Sequence, residues 1–159
     1  MRTIKFRAKD IKTSHWVYGA YHEHIDITPA AIYKDSESRE NHIKEHTHYL
    51  IMKDSFSDYC MPRNIQCFDV IPETLCQFTG LCDCKGKKIY EGDIVKWTKE
   101  NRMYVVKFWR GMFYASSEEC NEGMLGGFPL HRLTECDDGE CEIVGNIYDN
   151  PELLKGVKQ

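Results

Sequence analysis

The feature that most constrains this chain is a series of turn signals recurring at short intervals through its second half. Thr79-Gly80, Lys85-Gly86, Glu91-Gly92-Asp93, Arg110-Gly111, Gly126-Gly127 and Asp138-Gly139 bracket apolar stretches at residues 89–90, 94–97, 103–109, 112–115 and 141–147. Glycine reaches backbone conformations closed to other residues, and Asp and Asn side chains bond nearby turn backbone, so this punctuation admits strands and breaks long helices. Short strands between regularly spaced turns are the pattern of a small barrel or sandwich. Within residues 90–95, Gly92 lets the chain bend, Asp93 is expected to hydrogen-bond the turn backbone, and Ile94 and Val95 enter the core.

The first half is less regular. Residues 4–8 alternate apolar and charged side chains, and after a polar stretch comes the aromatic run of residues 16–21, together a hairpin signature. Residues 30–33, 47–52 and 65–71 also have strand-like composition, whereas residues 35–45 are polar on every side and read as a loop or a marginal surface helix. At the C-terminus, Asn150 suits a helix cap, Pro151 its first turn and Glu152 the positive end of its dipole, so one short helix is expected there. The chain is therefore expected to be mainly β with short helices. A β-rich N-terminal part covers residues 1–71 and a small barrel residues 72–159.

Composition narrows the function classes. With 42% hydrophobic residues the 159-residue chain can bury a core, and 12% aromatics favour packed sheets. A net charge of −4 gives no general footprint for phosphate backbones, so nucleic acid ranks behind protein as a partner. The local clusters Lys85, Lys87, Lys88 and Arg2, Lys5, Arg7, Lys9 read first as solvated faces. The N-terminus alternates charges where a secretory signal needs an apolar segment, and no apolar run approaches the roughly 20 residues of a bilayer span, so a cytoplasmic protein with reduced thiols is expected.

Reaction chemistry is not legible. Cys82 and Cys84 are one residue too close for a zinc knuckle, and Cys136 and Cys141 would complete a four-thiolate set only if the fold brought them alongside. His22 with His24, and His42 with His46 and His48, lack the order of a metalloprotease helix and read as solvated. Nucleophile elbows and phosphate-binding glycine loops are absent, and the pairs Glu118-Glu119 and Asp137-Asp138 read as exposed loops. The chain is thus expected to hold no catalytic residue, cofactor or metal.

Three segments resemble the YopX family. They are Arg2-x-Ile4-Lys5-Phe6-Arg7-Ala8-x-Asp10, Phe78-Thr79-Gly80-Leu81-x-Asp83-x-x-Gly86-Lys87-x-Ile89-Tyr90-Glu91-Gly92-Asp93-Ile94-Val95, and Val144-Gly145-Asn146-Ile147-Tyr148-x-Asn150-Pro151-Glu152-Leu153-Leu154. The resemblance implies a small protein typical of bacteriophage and prophage genomes, with a β-rich N-terminal part and a C-terminal part similar to an SH3-like barrel. It implies no reaction and supplies no catalytic residues. Cys82 and Cys84 stand where the family usually shows Lys, and Lys9 where it often shows an aromatic residue, which sets the cysteine pair apart as a peculiarity of this chain.

A non-enzymatic binding or adaptor module is the expected function, with a host or phage protein as partner and no membrane. Lys85, Lys87, Lys88, Trp97, Tyr104 and Trp109 are its candidate surface, and Phe113 and Tyr114 add further aromatic area. Exposed sheet edges leave self-association open. The alternative is a small hydrolase or nuclease with an acidic site assembled from Asp83, Glu91, Asp93 and Glu142.

Overall fold

In the computed structural model, which describes residues 4–26, 35–55, 64–99, 101–117, 127–134 and 140–155, the alternation at the N-terminus forms the expected hairpin. Strand β1 (Phe6–Lys9) pairs antiparallel with β2 (Trp16–Ile25), Ala8 opposite Val17. Asp10 closes the connection: its Oδ2 accepts from the Thr13 hydroxyl at 2.7 Å and from Thr13 N at 3.2 Å. The Thr13 hydroxyl, more than the backbone donors, holds the Asp10 carboxyl below the ordinary carboxylate range. Its folded value lies below the unfolded one, so the stability it contributes is present above the unfolded value and is lost as pH falls through the folded one.

Next come α1 (Ser36–Glu45), β3 (Thr47–Ser55) and β4 (Asn64–Asp69). The polar stretch at residues 35–45 is a surface helix with no buried residue, begun by the Asp35 carboxylate, which accepts from Ser38 N at 2.7 Å. Its capping bond is what a sequence without an apolar stripe can still supply. Strands β2, β3 and β4 pair in turn, Tyr21 opposite Ile51 and Ile51 opposite Phe68. Period-2 alternation puts these on one face, where Ala8, Ile51 and Val70 are buried with Phe6, Val17, Tyr21, Tyr49, Phe68 and Leu75 against them. The strand expected at residues 30–33 lies outside the described residues.

Lys5–Leu75 forms one compact unit, and Cys76–Gln159 with Met1–Ile4 forms a second. The second begins with β5 (Cys76–Cys82) and β6 (Lys88–Tyr90), an antiparallel pair. Thr79-Gly80, read from sequence as a turn, lies inside β5 instead. Gly80 has φ +91° where the register slips between Phe78 and Cys82, and the Thr79 hydroxyl donates to Ile89 O at 2.9 Å. A glycine interrupting a strand here marks a bulge rather than the strand's end.

Strands β7 (Asp93–Trp97), β8 (Arg102–Trp109), β9 (Met112–Ser116), β10 (Gly127–Pro129) and β11 (Cys141–Asn146) make a five-stranded antiparallel sheet in the order β10-β9-β8-β7-β11. Two short helices follow β10 and β11: α2 (His131–Thr134) and α3 (Glu152–Lys155), the latter where the C-terminal helix was expected. Of Gly126-Gly127, expected as a turn, Gly127 begins β10 and Gly126 lies outside the described residues. One face of this sheet carries Val95, Tyr104, Val106, Phe113, Ala115 and Cys141, buried with Ile89, Leu130 and Leu133. Both units are mainly β, as the sequence predicts, and no described helix is long and apolar enough to cross a membrane.

The turn at residues 90–93 joins β6 to β7. Asp93, only 1% exposed, accepts Tyr90 N at 2.7 Å through Oδ2. Gly92 has φ +76°, its N donates to Val106 O at 2.8 Å and its O accepts from Ile147 N at 2.9 Å. A Cβ there would also sit 3.1 Å from the Tyr148 ring, so both conformation and space call for glycine.

Candidate binding surface

Strands β8 and β9 meet directly opposite one another, Trp109 facing Met112 and Lys107 facing Tyr114. Only Arg110 and Gly111 connect them, with φ of +46° and +86°. Two positive φ values in a two-residue loop follow the twist of the flanking strands, which is why such hairpins favour Asn-Gly or Gly-Gly. Arginine is an uncommon choice for the first position, and here its guanidinium lies 4.3 Å from the centroid of the Trp109 ring. We expect Arg110→Gly to raise stability by about 0.5–1 kcal/mol, because the left-handed strain disappears while an exposed side chain is lost. Urea unfolding checks this; a lower midpoint for the variant would mean that the stacked arginine holds the hairpin.

Alternation assigns the faces. Tyr104, Val106 and Phe108 point towards the core side, and Met103, Val105, Lys107 and Trp109 to the other. That outer face is covered at one end, where Ile94 and Val105 are buried and a Cβ on Gly145, opposite Ile94, would fall 2.9 Å from Leu153 of α3. Beyond Val105 it opens. Trp109 is 38% exposed, Met112 44% and Phe108, on the tip's other side, 48%. Tyr114 meets Trp109 edge-on with centroids 6.0 Å apart, and Phe108 packs 5.1 Å from Phe113. Lys107 and Arg110 are exposed beside these rings.

Of the surface residues expected from sequence, Trp109 and Tyr114 lie in this patch. Tyr104 is a correction: at 4% exposed it is buried, its ring 5.1 Å from Phe128 in an edge-on contact. Trp97 is half-buried against the same core, 6.4 Å from Phe128, and Phe113 is buried. Lys85 is ion-paired with Glu142, which raises the lysine's pKa, while Lys87 and Lys88 are exposed. Sequence reading missed Lys107, Phe108, Arg110 and Met112, although the alternation of β8 with a two-residue turn would have found them.

The carboxylates expected to form an acidic site are tied to local structure. Asp83 Oδ1 accepts Lys85 N at 2.9 Å and Lys87 N at 2.8 Å, and its Oδ2 accepts Ile143 N at 3.3 Å. Asp93 holds Tyr90 N, Glu142 holds Lys85, and Glu91 is half-buried in the neighbouring turn. Carboxylates whose oxygens accept backbone amides shape turns.

Cys84 N, in the turn between β5 and β6, donates to Cys141 O at the start of β11 at 2.9 Å, so the backbones of these two cysteines meet. Cys141 is buried, and burial pushes its thiol up to about 12. Cys84 is raised too, first by desolvation and then by the charges of Glu140 and Asp83. Cys67, Cys82 and Cys84 are exposed and Cys76 is buried; Cys136 lies outside the described residues. Because only the thiolate reacts, limited iodoacetamide at pH 8 should, among these five cysteines, label Cys67 and Cys82 first, Cys84 more slowly and Cys76 and Cys141 last. Peptide mass spectrometry reads the order, and early labelling of Cys141 in folded protein would contradict it.

Histidines gather near the free end of β2 and β3. His24 Nε2 lies 2.9 Å from Asp26, and His48 lies 3.5 Å from both Asp26 and Asp69. His42 of α1 and His46, which caps that helix's C-terminus, stack with centroids 3.9 Å apart. Among the described residues no group of three or more His, Cys, Asp or Glu is placed to hold a metal ion.

The solved structure of protein EF1440 from Enterococcus faecalis is similar over 97% of this chain and 99% of its own, with a TM-score of 0.51 and 23% identity, a likeness of fold. A SPbeta prophage-derived uncharacterized protein YopX from Bacillus subtilis (strain 168) is 31% identical over 78 residues, 46% of this chain and 55% of that protein. The match therefore spans about half of the relative's length. The model of the YopX protein family matches residues 5–155, which takes in the whole Lys5–Leu75 unit, the second unit apart from residues 1–4 and 156–159, and the three segments quoted above apart from residues 2–4. This chain belongs to the YopX protein family.

Proposed function

We propose that this chain is a prophage-associated, non-enzymatic binding module that works in the cytoplasm and contacts a host or phage protein through the β8–β9 hairpin. The observation that carries this reading is the grouping of exposed Phe108, Trp109 and Met112 at one hairpin tip, with Lys107 and Arg110 beside them. Tryptophan, arginine and methionine are enriched where proteins bind one another, and large exposed apolar groups clustered together cost solvation unless a partner covers them. The hairpin belongs to the sheet that we read as the SH3-like part, whose aromatic and loop residues are suited to such contacts. An acidic catalytic site has less support, because Asp83 and Asp93 spend carboxylate oxygens on backbone amides.

The test is capture from a prophage-induced host lysate by the native chain and by Trp109→Ser/Met112→Ser, with Lys88→Ser as a surface control. The reading expects at least one protein retained by the native chain and the control but lost from the double variant. An identical captured set with all three would refute the assignment to the hairpin.

A further inference from the structure

Resting on that reading, we infer that the occupant of the hairpin is an acidic segment of another protein that lays one large apolar side chain across Trp109 and Met112. Residues 102–116 carry Arg102, Lys107 and Arg110 and no carboxylate, in a chain whose net charge is −4. The hairpin is thus locally cationic against an acidic background, and its charge complements acids.

The geometry divides the contact into a centre and a rim. Trp109, Met112 and Tyr114 share the outer face and supply an apolar floor. Methionine is unbranched and polarisable, so Met112 adapts to whichever side chain enters. Lys107 stands opposite Tyr114 on one side, and Arg110 is stacked over Trp109 on the other. Stacking orders the guanidinium before binding, leaving its planar fork to donate to a carboxylate with less conformational loss. An apolar anchor ringed by charge-assisted contacts is the arrangement in which hot spots occur.

Single-stranded nucleic acid is the weaker match. Lys107 and Arg110 are the cations beside the outer-face aromatics, and two phosphate contacts give a log–log salt slope of only about −1.4. Met112, at the centre of the floor, offers no ring for a base to stack on.

The experiment pans a phage-displayed random peptide library on the immobilised full chain, with counter-selection on Trp109→Ser/Met112→Ser. Circular dichroism establishes that each variant is folded, which the exposure of these side chains favours. The expected result is peptides with an aromatic or long aliphatic residue flanked by Asp or Glu, bound about tenfold or more tightly by the native chain than by the double variant. Lys107→Gln/Arg110→Gln should then remove the acidic preference while retaining the apolar one. Hairpin-dependent peptides without an acidic excess, or a single-stranded oligonucleotide that displaces them at equal concentration, would overturn the acidic-segment inference and leave the hairpin as the binding surface. No hairpin-dependent peptide at all would overturn both.

Discussion

Asp93→Ala is expected to lower the stability of the chain by about 3 kcal/mol, because it removes a buried carboxylate that holds a turn together. Asp93 is 1% exposed, and its Oδ2 lies 2.7 Å from Tyr90 N across the turn that links β6 to β7. Tyr90 is buried as well, so an amide that loses this acceptor has little water nearby to replace it. The same turn anchors more than itself: Gly92 reaches Val106 of β8 and Ile147 beyond β11. Asp93→Asn keeps the shape and one oxygen acceptor and should recover more than half of the loss. Urea unfolding at constant slope measures both, and an Asp93→Ala midpoint within about 0.5 kcal/mol of the native chain would show that the carboxylate is not the anchor.

Gly19→Ala should have a comparable effect in the other unit. A Cβ at this position would lie 2.1 Å from the carbonyl oxygen of Met52 and 2.8 Å from its carbon, both backbone atoms that no side-chain rotation can clear. Strands β2 and β3 must separate locally, disturbing the register that sets Ile51 between Tyr21 and Phe68. Overpacking of this kind costs about 3 kcal/mol or more. Gly111→Ala offers the comparison: nothing lies within 4 Å of its Cβ, so only the strain of φ +86° is added, about 1–2 kcal/mol. Thermal unfolding distinguishes them, and a loss for Gly19→Ala no larger than that for Gly111→Ala would mean that β2 and β3 yield to the added Cβ at little cost.

These two positions show how much of the fold could be read from sequence. Asp93 was legible because a turn next to glycine asks for a side chain that bonds its own backbone, a local demand met within three residues. Gly19 was not, since its need arises from a strand that is more than 30 residues away in the chain and is recognised only once β2 and β3 are paired. Gly80 misled for a related reason: local physics allows a glycine to end a strand or to bulge it, and the pairing of β5 with β6 decides.

The candidate surface was half legible. Trp109 stood out by type, but type alone also selected Tyr104, whose ring the core takes up. Parity separates them. Lys107 is charged and Val106 is not, so once residues 102–109 form a strand, odd positions near the tip face water and Tyr104 faces inward. The lysines at 85, 87 and 88 attracted attention as a cluster, yet Lys85 is paired with Glu142, some 57 residues along the chain, a contact no local reading supplies.

We propose above that the outer face of the β8–β9 hairpin meets the partner. Amide chemical-shift mapping tests it most directly, with the labelled full chain titrated by the protein captured from the induced lysate. The largest shifts are expected at residues 107–114 and should weaken in Trp109→Ser/Met112→Ser. Shifts concentrated at residues 85–88 or within β1–β4, with the hairpin unmoved, would contradict it.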